Sequence, residues 1–175
     1  LKLLIFEVSM SLELRPYQVE DLSFYIRNKK CLNRSDVGTG KTASVCVMFK
    51  YVSDYEHGSS IWVMPKSLLG KNKEELENWT GLSVLIYRGK PTKDKWRGEQ
   101  FDIILTTADT LMNHFETIRL MLKKKLTLIA CDESHLYYSS ITSKRCEFFV
   151  ALSRKIDRVV FMTATVIRGR LDSAF

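Results

Sequence analysis

Residues 35–42 read Ser-Asp-Val-Gly-Thr-Gly-Lys-Thr, and this stretch decides the fold. It follows a short apolar run at residues 31–32 and precedes a segment of helical composition at residues 43–51. Gly38 and Gly40 let the backbone curl so that its N–H groups point at an anion. The N-terminus of the following helix adds positive potential at the same point. The stretch therefore predicts a phosphate-binding loop between a strand and a helix.

The loop carries the side chains that nucleotide chemistry needs. Lys41 can reach the β- and γ-phosphates of a nucleotide, and the Thr42 hydroxyl can bind Mg²⁺. Ser35 stands where the general pattern has a further glycine, but the Gly-x-Gly-Lys-Thr core is complete. The alternative is a glycine turn before a basic helix start. The predicted nucleotide-binding residues of the loop are Asp36, Val37, Gly38, Thr39, Gly40, Lys41 and Thr42.

Composition indicates one domain with a basic surface. The chain has 175 residues, 45% of them hydrophobic, which is enough to bury a sizeable core. Its net charge of +7 favours a polyanionic partner such as nucleic acid. The alternative is a basic domain without such a partner.

The cysteine spacing and the length of the apolar runs argue against a disulfide-linked protein, a zinc site and a membrane-spanning protein. Cys31, Cys46, Cys131 and Cys146 form no Cys-x-x-Cys pair and have no histidine at metal-ligand spacing, so they predict buried thiols rather than disulfides or a zinc site. We therefore expect an intracellular, reducing compartment, cytoplasm or nucleus. No apolar run approaches the roughly 18 residues that a membrane span needs.

Apolar runs alternate with longer amphipathic segments along the chain. The runs predicted as strands are residues 31–32, 61–64, 82–87, 102–106, 126–131 and 158–162. The segments predicted as helices begin near Pro16 and continue with residues 43–51, 67–79, 108–125 and 144–155. Such alternation favours right-handed crossovers and a parallel sheet covered on both faces. We predict an α/β fold in one domain, residues 10–175, with residues 1–9 as an upstream leader or vector-derived residues.

Two details of these predictions concern helix ends. Ser67 is expected to cap the helix that follows Pro65. The lysines at 123, 124 and 125 are expected to close the helix of residues 108–125, which has one break, because cations suit a helix C-terminus.

A second motif follows the strand predicted at residues 126–131. Asp132 and Glu133 come directly after it. Because the phosphate loop also leaves the end of a parallel strand, both motifs are expected at one edge of the sheet. Mg²⁺ would offset the adjacent carboxylates, with Asp132 holding the metal through water and Glu133 deprotonating the attacking water. The alternative is an acidic loop without a ligand.

The third motif is Thr163-Ala164-Thr165, after the last predicted strand. Its hydroxyl groups can form hydrogen bonds to the neighbouring carboxylate loop and so respond to nucleotide state. Alone, such a sequence is more often a plain turn.

These motifs, in this order, resemble the first motor domain of superfamily-two helicases and translocases. Residues 14–18, Leu-Arg-Pro-Tyr-Gln, resemble the adenine-side motif of the Swi/Snf-like branch. Residues 64–69, with Trp79 downstream, resemble its next motif, and residues 105–111 resemble a nucleic-acid-facing motif. The resemblance spans about residues 14–175. It implies a RecA-like fold of the P-loop NTPase type and an ATP hydrolase that is stimulated by DNA.

The resemblance also implies roles for individual residues. Gln18 would read the adenine edge, with Tyr17 or Arg15 supporting the base. Coupling between the ATP site and DNA would fall to His135, Thr163, Ala164 and Thr165. Contacts to the sugar-phosphate backbone would come from Lys66, Ser67, Thr106 and Thr107. Backbone contacts imply little sequence preference and strong salt dependence.

Several positions depart from the Swi/Snf-like pattern. Ser134 replaces Ala or Gly, Ala164 and Val166 replace Gly and Pro, and Arg168-Gly169 replaces Gln-Asn. The Thr-Ala-Thr motif is closer to that of DExH helicases. Duplex translocation and strand separation therefore both remain open.

The motor of this family needs a second RecA-like domain that supplies an arginine finger. We expect this chain to be one half of such a motor, either a piece of a longer protein or a truncated product. The alternatives are a non-catalytic adaptor that binds nucleotide or DNA, and an RNA-directed DExH ATPase. A basic segment with Lys90, Lys93, Lys95, Trp96 and Arg97 is expected to be a solvated loop, with a nucleic-acid surface as the alternative.

Overall fold

The computed structural model describes residues 14–36, 38–89, 98–137 and 142–164. Several predictions fall outside these ranges and stay predictions. They concern residues 1–9, Val37, the basic segment from Lys90 to Arg97, and Thr165.

The described ranges contain five α-helices and six β-strands. The helices are α1 (Pro16–Arg27), α2 (Lys41–Tyr55), α3 (Leu69–Thr80), α4 (Ala108–Leu120) and α5 (Lys144–Lys155). The strands are β1 (Lys30–Asn33), β2 (Ser59–Val63), β3 (Val84–Ile86), β4 (Ile103–Thr106), β5 (Leu126–Cys131) and β6 (Arg158–Met162). Single 3₁₀ turns at Lys66–Leu68 and Ser134–Leu136 follow β2 and β5.

The strands form one sheet in the order β1-β6-β5-β2-β4-β3, and every neighbouring pair is parallel. Successive residues of β2, β4, β5 and β6 alternate between two apolar cores, one on each face of the sheet. In β2, Trp62 faces the core shared with α1, α2 and α3, whereas Ile61 and Val63 face the core shared with α4 and α5. The predicted α/β fold, a parallel sheet with helices on both faces, is confirmed.

Most element boundaries agree with the sequence prediction, and the departures have local causes. β5, α5 and β6 have the predicted bounds. α2 extends to Tyr55, beyond the predicted end at residue 51, and β2 begins at Ser59 instead of residue 61, so only three residues separate them. Ser59 and Ser60 enter the strand although they are polar, because both are buried and paired in the sheet.

The prediction that Ser67 caps a helix is wrong. Ser67 lies inside the 3₁₀ turn that follows Pro65, and α3 begins only at Leu69, without a side-chain cap. Since proline fixes its own φ and restricts the residue before it, the chain turns once before the helix can start.

The helix predicted for residues 108–125 ends early. The expected break is present at His114, whose φ of −131° and ψ of 23° are not helical. α4 stops at Leu120, because Met121 and Leu122 are buried and Leu122 bridges to Phe101.

The three lysines after α4 therefore do not close a helix, and that prediction is wrong. Lys123 forms an ion pair with Asp102, and Lys125 forms one with Asp157. Lys124 Nζ donates to the carbonyl of Ser53. These contacts account for the lysines without a ligand, as the sequence indicated.

The cysteine prediction is confirmed, since all four are buried free thiols. Burial raises the pKa of Cys31 to about 11. Among the described helices, none is long and apolar enough to cross a membrane.

Candidate nucleotide-binding site

The phosphate loop owes its shape to two glycines in the left-handed region. Gly38 has a φ of 81° and Gly40 a φ of 71°. Gly40 is also the N-cap of α2, where its carbonyl accepts from the N–H of Ala43. A Cβ on Gly40 would lie 2.4 Å from Nε2 of Gln18. Glycine at this position is thus required both by the backbone conformation and by the close approach of α1.

Lys41, the first residue of α2, turns back across the loop. Its Nζ donates to the carbonyls of Ser35 at 2.7 Å and Asp36 at 2.8 Å. The ammonium therefore lies within the loop, where phosphate oxygens can accept from it. Thr42 follows on the same helical turn and lines the cavity described below.

The two acidic residues leave the end of β5 in a constrained turn. Asp132 N–H continues the sheet by donating to the carbonyl of Val63, and its Oδ1 accepts from the N–H of Glu133 at 2.9 Å. Tyr137 OH donates to the Asp132 carbonyl. Glu133 has a φ of 49° and a ψ of 45°, which is left-handed backbone that non-glycine residues rarely adopt. Such strain occurs where the surrounding structure fixes a side-chain direction.

The pKa of the Asp132 carboxyl group depends on burial and on the charges around it. Burial raises the pKa of its carboxyl group above the ordinary value, the Glu133 charge raises it further, and the Lys41 charge opposes both. A divalent cation would also oppose both effects.

One cavity of about 280 Å³ unites the two motifs. Its walls are formed by Gly38, Gly40, Lys41, Thr42, Trp62, Asp132, Glu133, Met162 and Ala164. The prediction that the phosphate loop and the acidic pair meet at one edge of the sheet is confirmed.

Two residues of this cavity were not predicted. Trp62 lies in the apolar run of residues 61–64 that was predicted as a strand, and it is 0% exposed, but it also forms part of the cavity wall. It pairs in the sheet with Ala130, a small residue two positions before Asp132. Its indole Nε1 is buried without a hydrogen-bond partner among the described residues. Met162 ends β6 at the same edge.

The predicted link between the third motif and the acidic loop is present. Thr163 Oγ1 lies 2.8 Å from Nδ1 of His135, and the same nitrogen lies 3.3 Å from Oε2 of Glu133. Ala164 lines the cavity. The contact joins the end of β6 to the predicted catalytic carboxylate, whereas a role in coupling stays a prediction.

The predicted adenine-side residues lie beside the loop. Gln18 is 7% exposed, and its Oε1 accepts from the N–H of Arg15 at 2.9 Å. Its Nε2 donates to the carbonyls of Thr39 at 3.3 Å and Gly40 at 3.2 Å. Tyr17 is exposed and accepts a hydrogen bond from Arg15. Gln18 is thus hydrogen-bonded to the phosphate loop, whereas its contact with adenine stays a prediction.

The predicted nucleic-acid residues divide into two groups. Lys66 and Ser67 are exposed in the turn after β2, and Thr107 is the half-buried N-cap of α4. Thr106, in contrast, is 0% exposed, and its hydroxyl donates to the Tyr87 carbonyl at 2.9 Å. Its side chain is thus occupied inside the domain, and its contact with nucleic acid stays a prediction.

A parallel sheet with a Gly-x-Gly-Lys-Thr loop and an Asp-Glu pair around one cavity defines a P-loop nucleoside triphosphatase domain. The comparison with known families then gives the family. The model of the DEAD/DEAH box helicase family matches residues 15–173, and the chain belongs to this family. Membership implies a nucleotide-binding domain.

Curated relatives and solved structures agree with this assignment. The DNA annealing helicase and endonuclease ZRANB3 of Mus musculus is 24% identical over 93% of this chain, and human chromodomain-helicase-DNA-binding protein 8 is 21% identical over 93%. The Sulfolobus solfataricus SWI2/SNF2 ATPase core in complex with dsDNA has the same fold, with a TM-score of 0.73, 24% identity, and coverage of 94% of this chain and 35% of its own. The resemblance to the Swi/Snf-like branch is confirmed.

The chain spans 15% of the length of ZRANB3 and 7% of the length of the chromodomain protein. The UvsW helicase from bacteriophage T4 also shares the fold, with a TM-score of 0.72, 14% identity, and coverage of 93% of this chain and 56% of its own.

Proposed function

We propose that this chain is the ATP-binding first motor domain of an ATP-dependent DNA translocase or helicase. One observation carries the proposal: the phosphate loop and the acidic pair line a single cavity in a domain of a helicase family. In the complete protein, a second RecA-like domain would supply the arginine finger. The short share of its relatives that this chain covers supports that part of the proposal.

The residues assigned to the nucleotide follow from the geometry. Gly38, Gly40 and the first two residues of α2 line the cavity, and their backbone N–H groups would bind the phosphates of ATP. Lys41 would exchange its two carbonyl partners for β- and γ-phosphate oxygens. Gln18, with Tyr17 or Arg15, would hold the adenine.

The same site fits Mg²⁺. Its oxygen donors, the Thr42 hydroxyl and the Asp132 carboxylate, are the hard ligands that this ion prefers. The described residues contain no group of three or more His, Cys, Asp or Glu that could hold a metal, which suits an ion held largely by phosphates and water. When bound, Mg²⁺ would neutralise charge on the β- and γ-phosphates.

Glu133 would orient and deprotonate the water that attacks the γ-phosphate. Its left-handed backbone aims the carboxylate from the end of β5, and His135 lies 3.3 Å from it. His135, which contacts both Glu133 and Thr163, would then couple a change at this carboxylate to the residues that face DNA.

DNA would bind along the same edge of the sheet, at Lys66, Ser67 and Thr107. A lysine ammonium and the N-terminus of α4 suit phosphate oxygens rather than bases. The net charge of +7 supports this polyanion, and the names of the relatives favour DNA. Affinity should fall steeply with salt.

The test is phosphate release by the full-length gene product with and without duplex DNA. Glu133→Gln should lower the DNA-stimulated rate at least about 100-fold while ATP still binds, because the general base is lost. Glu147→Gln, which changes an exposed glutamate of α5, is the matched control and should leave the rate unchanged.

Each outcome discriminates. Intact hydrolysis in the Glu133→Gln protein would refute the role of Glu133. Stimulation by RNA instead of DNA would favour the RNA-directed ATPase, and binding of ATP without any hydrolysis by the full-length protein would favour the adaptor.

A further inference from the structure

Asn33 ends β1 with a buried side chain whose hydrogen-bonding groups all have partners. It is 6% exposed. Its Oδ1 accepts from the N–H of Ser35 at 2.8 Å, and its Nδ2 donates to Asp21 Oδ2 at 3.1 Å and to the Tyr25 hydroxyl. Because a carboxylate only accepts and a peptide N–H only donates, these partners fix the orientation of the amide.

Burial alone does not explain an amide at this position. In β1, Cys31 and Asn33 are buried while Lys30 and Leu32 are exposed. An apolar side chain would fill such a position without the desolvation that a polar group suffers. The amide does what an apolar side chain cannot, since it holds the first peptide N–H of the phosphate loop.

The contacts of Asn33 continue into both halves of the site. Ser35, which it holds by the N–H, accepts from Lys41 Nζ through its carbonyl at 2.7 Å. The Asn33 carbonyl accepts from the N–H of Thr163 at 3.0 Å, and Thr163 contacts His135. Asn33 therefore ties the start of the phosphate loop to α1 and to the end of β6.

We propose that Asn33 is a positioning residue for nucleotide phosphates: it fixes Ser35, and through Ser35 the carbonyl that places the Lys41 ammonium. This inference rests on the proposed function, because it concerns the same ATP site. Asn33 itself is not assigned a contact with the ligand. Its loss should weaken binding of the phosphates while the fold persists.

The first experiment is calorimetric titration of the chain with Mg·ADP. Asn33→Leu should lower affinity at least tenfold. The matched control is Asn72→Leu. Asn72 lies in α3 and is also buried, at 5% exposure, but its amide donates to Met64 Sδ and it is not part of the cavity wall. It should leave the affinity within about twofold of wild type.

A second variant provides a readout that a structural role would not change. Asn33→Asp keeps an acceptor for Ser35 but places a second carboxylate against Asp21. Burial already raises the pKa of Asp21, and the charge of Glu20 raises it further. The hydrogen bond from Asn33 and the charge of Lys41 lower it, but they do not offset the effect of burial. Burial also raises the pKa of Tyr25, so its hydroxyl group stays neutral between about pH 5.5 and pH 8, the range of the experiment.

In this variant the carboxyl pair should take up a proton at low pH, and the protonated form donates again to its neighbour. The ratio of variant to wild-type affinity for Mg·ADP should therefore be near one at about pH 5.5 and fall at least fivefold by about pH 8. The wild-type chain measured at each pH removes the common pH dependence of the site.

The outcomes separate the inference from the function on which it rests. A wild-type chain that binds neither ADP nor ATP would overturn both. A wild-type chain that binds, with an Asn33→Leu protein that binds equally well, would overturn the inference alone. If Asn33→Leu does not fold, Asn33→Asp decides, and a ratio that does not change with pH would overturn the inference.

Discussion

The two edges of the sheet are stabilised in different ways. At the carboxyl ends of the strands, the phosphate loop and the acidic pair, with the left-handed backbone of Glu133, surround a cavity of about 280 Å³. At the amino ends, it uses ion pairs and side-chain hydrogen bonds that lock neighbouring elements together. The comparison indicates that one edge carries the chemistry and the opposite edge carries much of the stability.

Arg158 is the centre of the amino edge. Its guanidinium, 8% exposed, donates two hydrogen bonds of 2.8 Å to Glu56, which follows α2. It also donates to the carbonyls of Tyr25 and Ile26 near the end of α1, both at 3.1 Å. One side chain at the start of β6 therefore joins two helices to the sheet.

The largest expected effect comes from removing this side chain. Arg158→Ala leaves Glu56 and two carbonyls without their cation and should lower the free energy of unfolding by about 3 kcal/mol. Urea denaturation measures this change. Arg154→Ala, at an exposed position on α5, should stay within about 0.5 kcal/mol of wild type. If the amino edge serves stability and not binding, the folded Arg158→Ala protein should bind Mg·ADP as tightly as the wild type does. A loss of affinity would contradict this division between the two edges.

Asp102 supplies the second prediction at this edge. Burial raises the pKa of its carboxyl group, but hydrogen bonds from the Ser83 side chain and backbone and from Lys123, together with the Lys123 charge, outweigh burial and hold the pKa below its ordinary value. A carboxyl group whose pKa is lowered by folding stabilises the protein above its unfolded pKa, and this contribution is lost as the pH falls through the folded pKa.

Asp102→Asn should therefore cost about 2 kcal/mol at pH 7, because three bonds to a charged acceptor are weakened. The difference from wild type should narrow below about pH 4, where the wild-type carboxyl group also becomes neutral. Asp54→Asn, which removes an exposed i,i+4 pair with Lys50, should cost under about 0.5 kcal/mol. A cost at Asp102 that is constant from pH 7 to pH 3 would contradict the charge-based account.

The sequence revealed the carboxyl edge better than the amino edge, and the reason is physical. Gly38, Lys41 and Asp132 belong to short motifs in which the chemistry demands particular residue types at fixed local spacing. The link from Arg158 to Glu56 spans 102 positions and uses residue types that are common on any surface. No local pattern marks such a pair.

The same distinction holds within the site. Trp62 reaches the cavity because β2 pairs with β5, where small Ala130 lies opposite, and a buried aromatic residue in an apolar run gives no sign of that pairing. Asn33 was not predicted either, because an amide next to the apolar run of residues 31–32 needs partners only if it is buried. Those partners, Asp21 and Tyr25, are fixed only once α1 packs against β1.

The smallest expected effect tests the carboxyl edge with a pair of glycines. Gly40→Ala places an alanine at a φ of 71° and drives its Cβ to 2.4 Å from Gln18 Nε2. Left-handed backbone costs alanine about 1 kcal/mol. The displaced Gln18 amide also loses its bonds to the loop carbonyls. Affinity for Mg·ADP should fall about tenfold, or about 1.4 kcal/mol.

Gly70→Ala is the matched control. Gly70 lies in α3, and no described atom outside its own helical turn lies within 4 Å of the place that a Cβ would take. Alanine there should stabilise the chain by about 0.5 kcal/mol and leave affinity unchanged. Calorimetric titration and urea denaturation of both variants give the two quantities. Because the two substitutions add the same methyl group, a difference in affinity reports what that group does at Gly40, through the left-handed backbone and the displaced Gln18 together. Equal affinities would mean that phosphate binding does not depend on the left-handed glycine, and the contrast between the two edges would lose its basis.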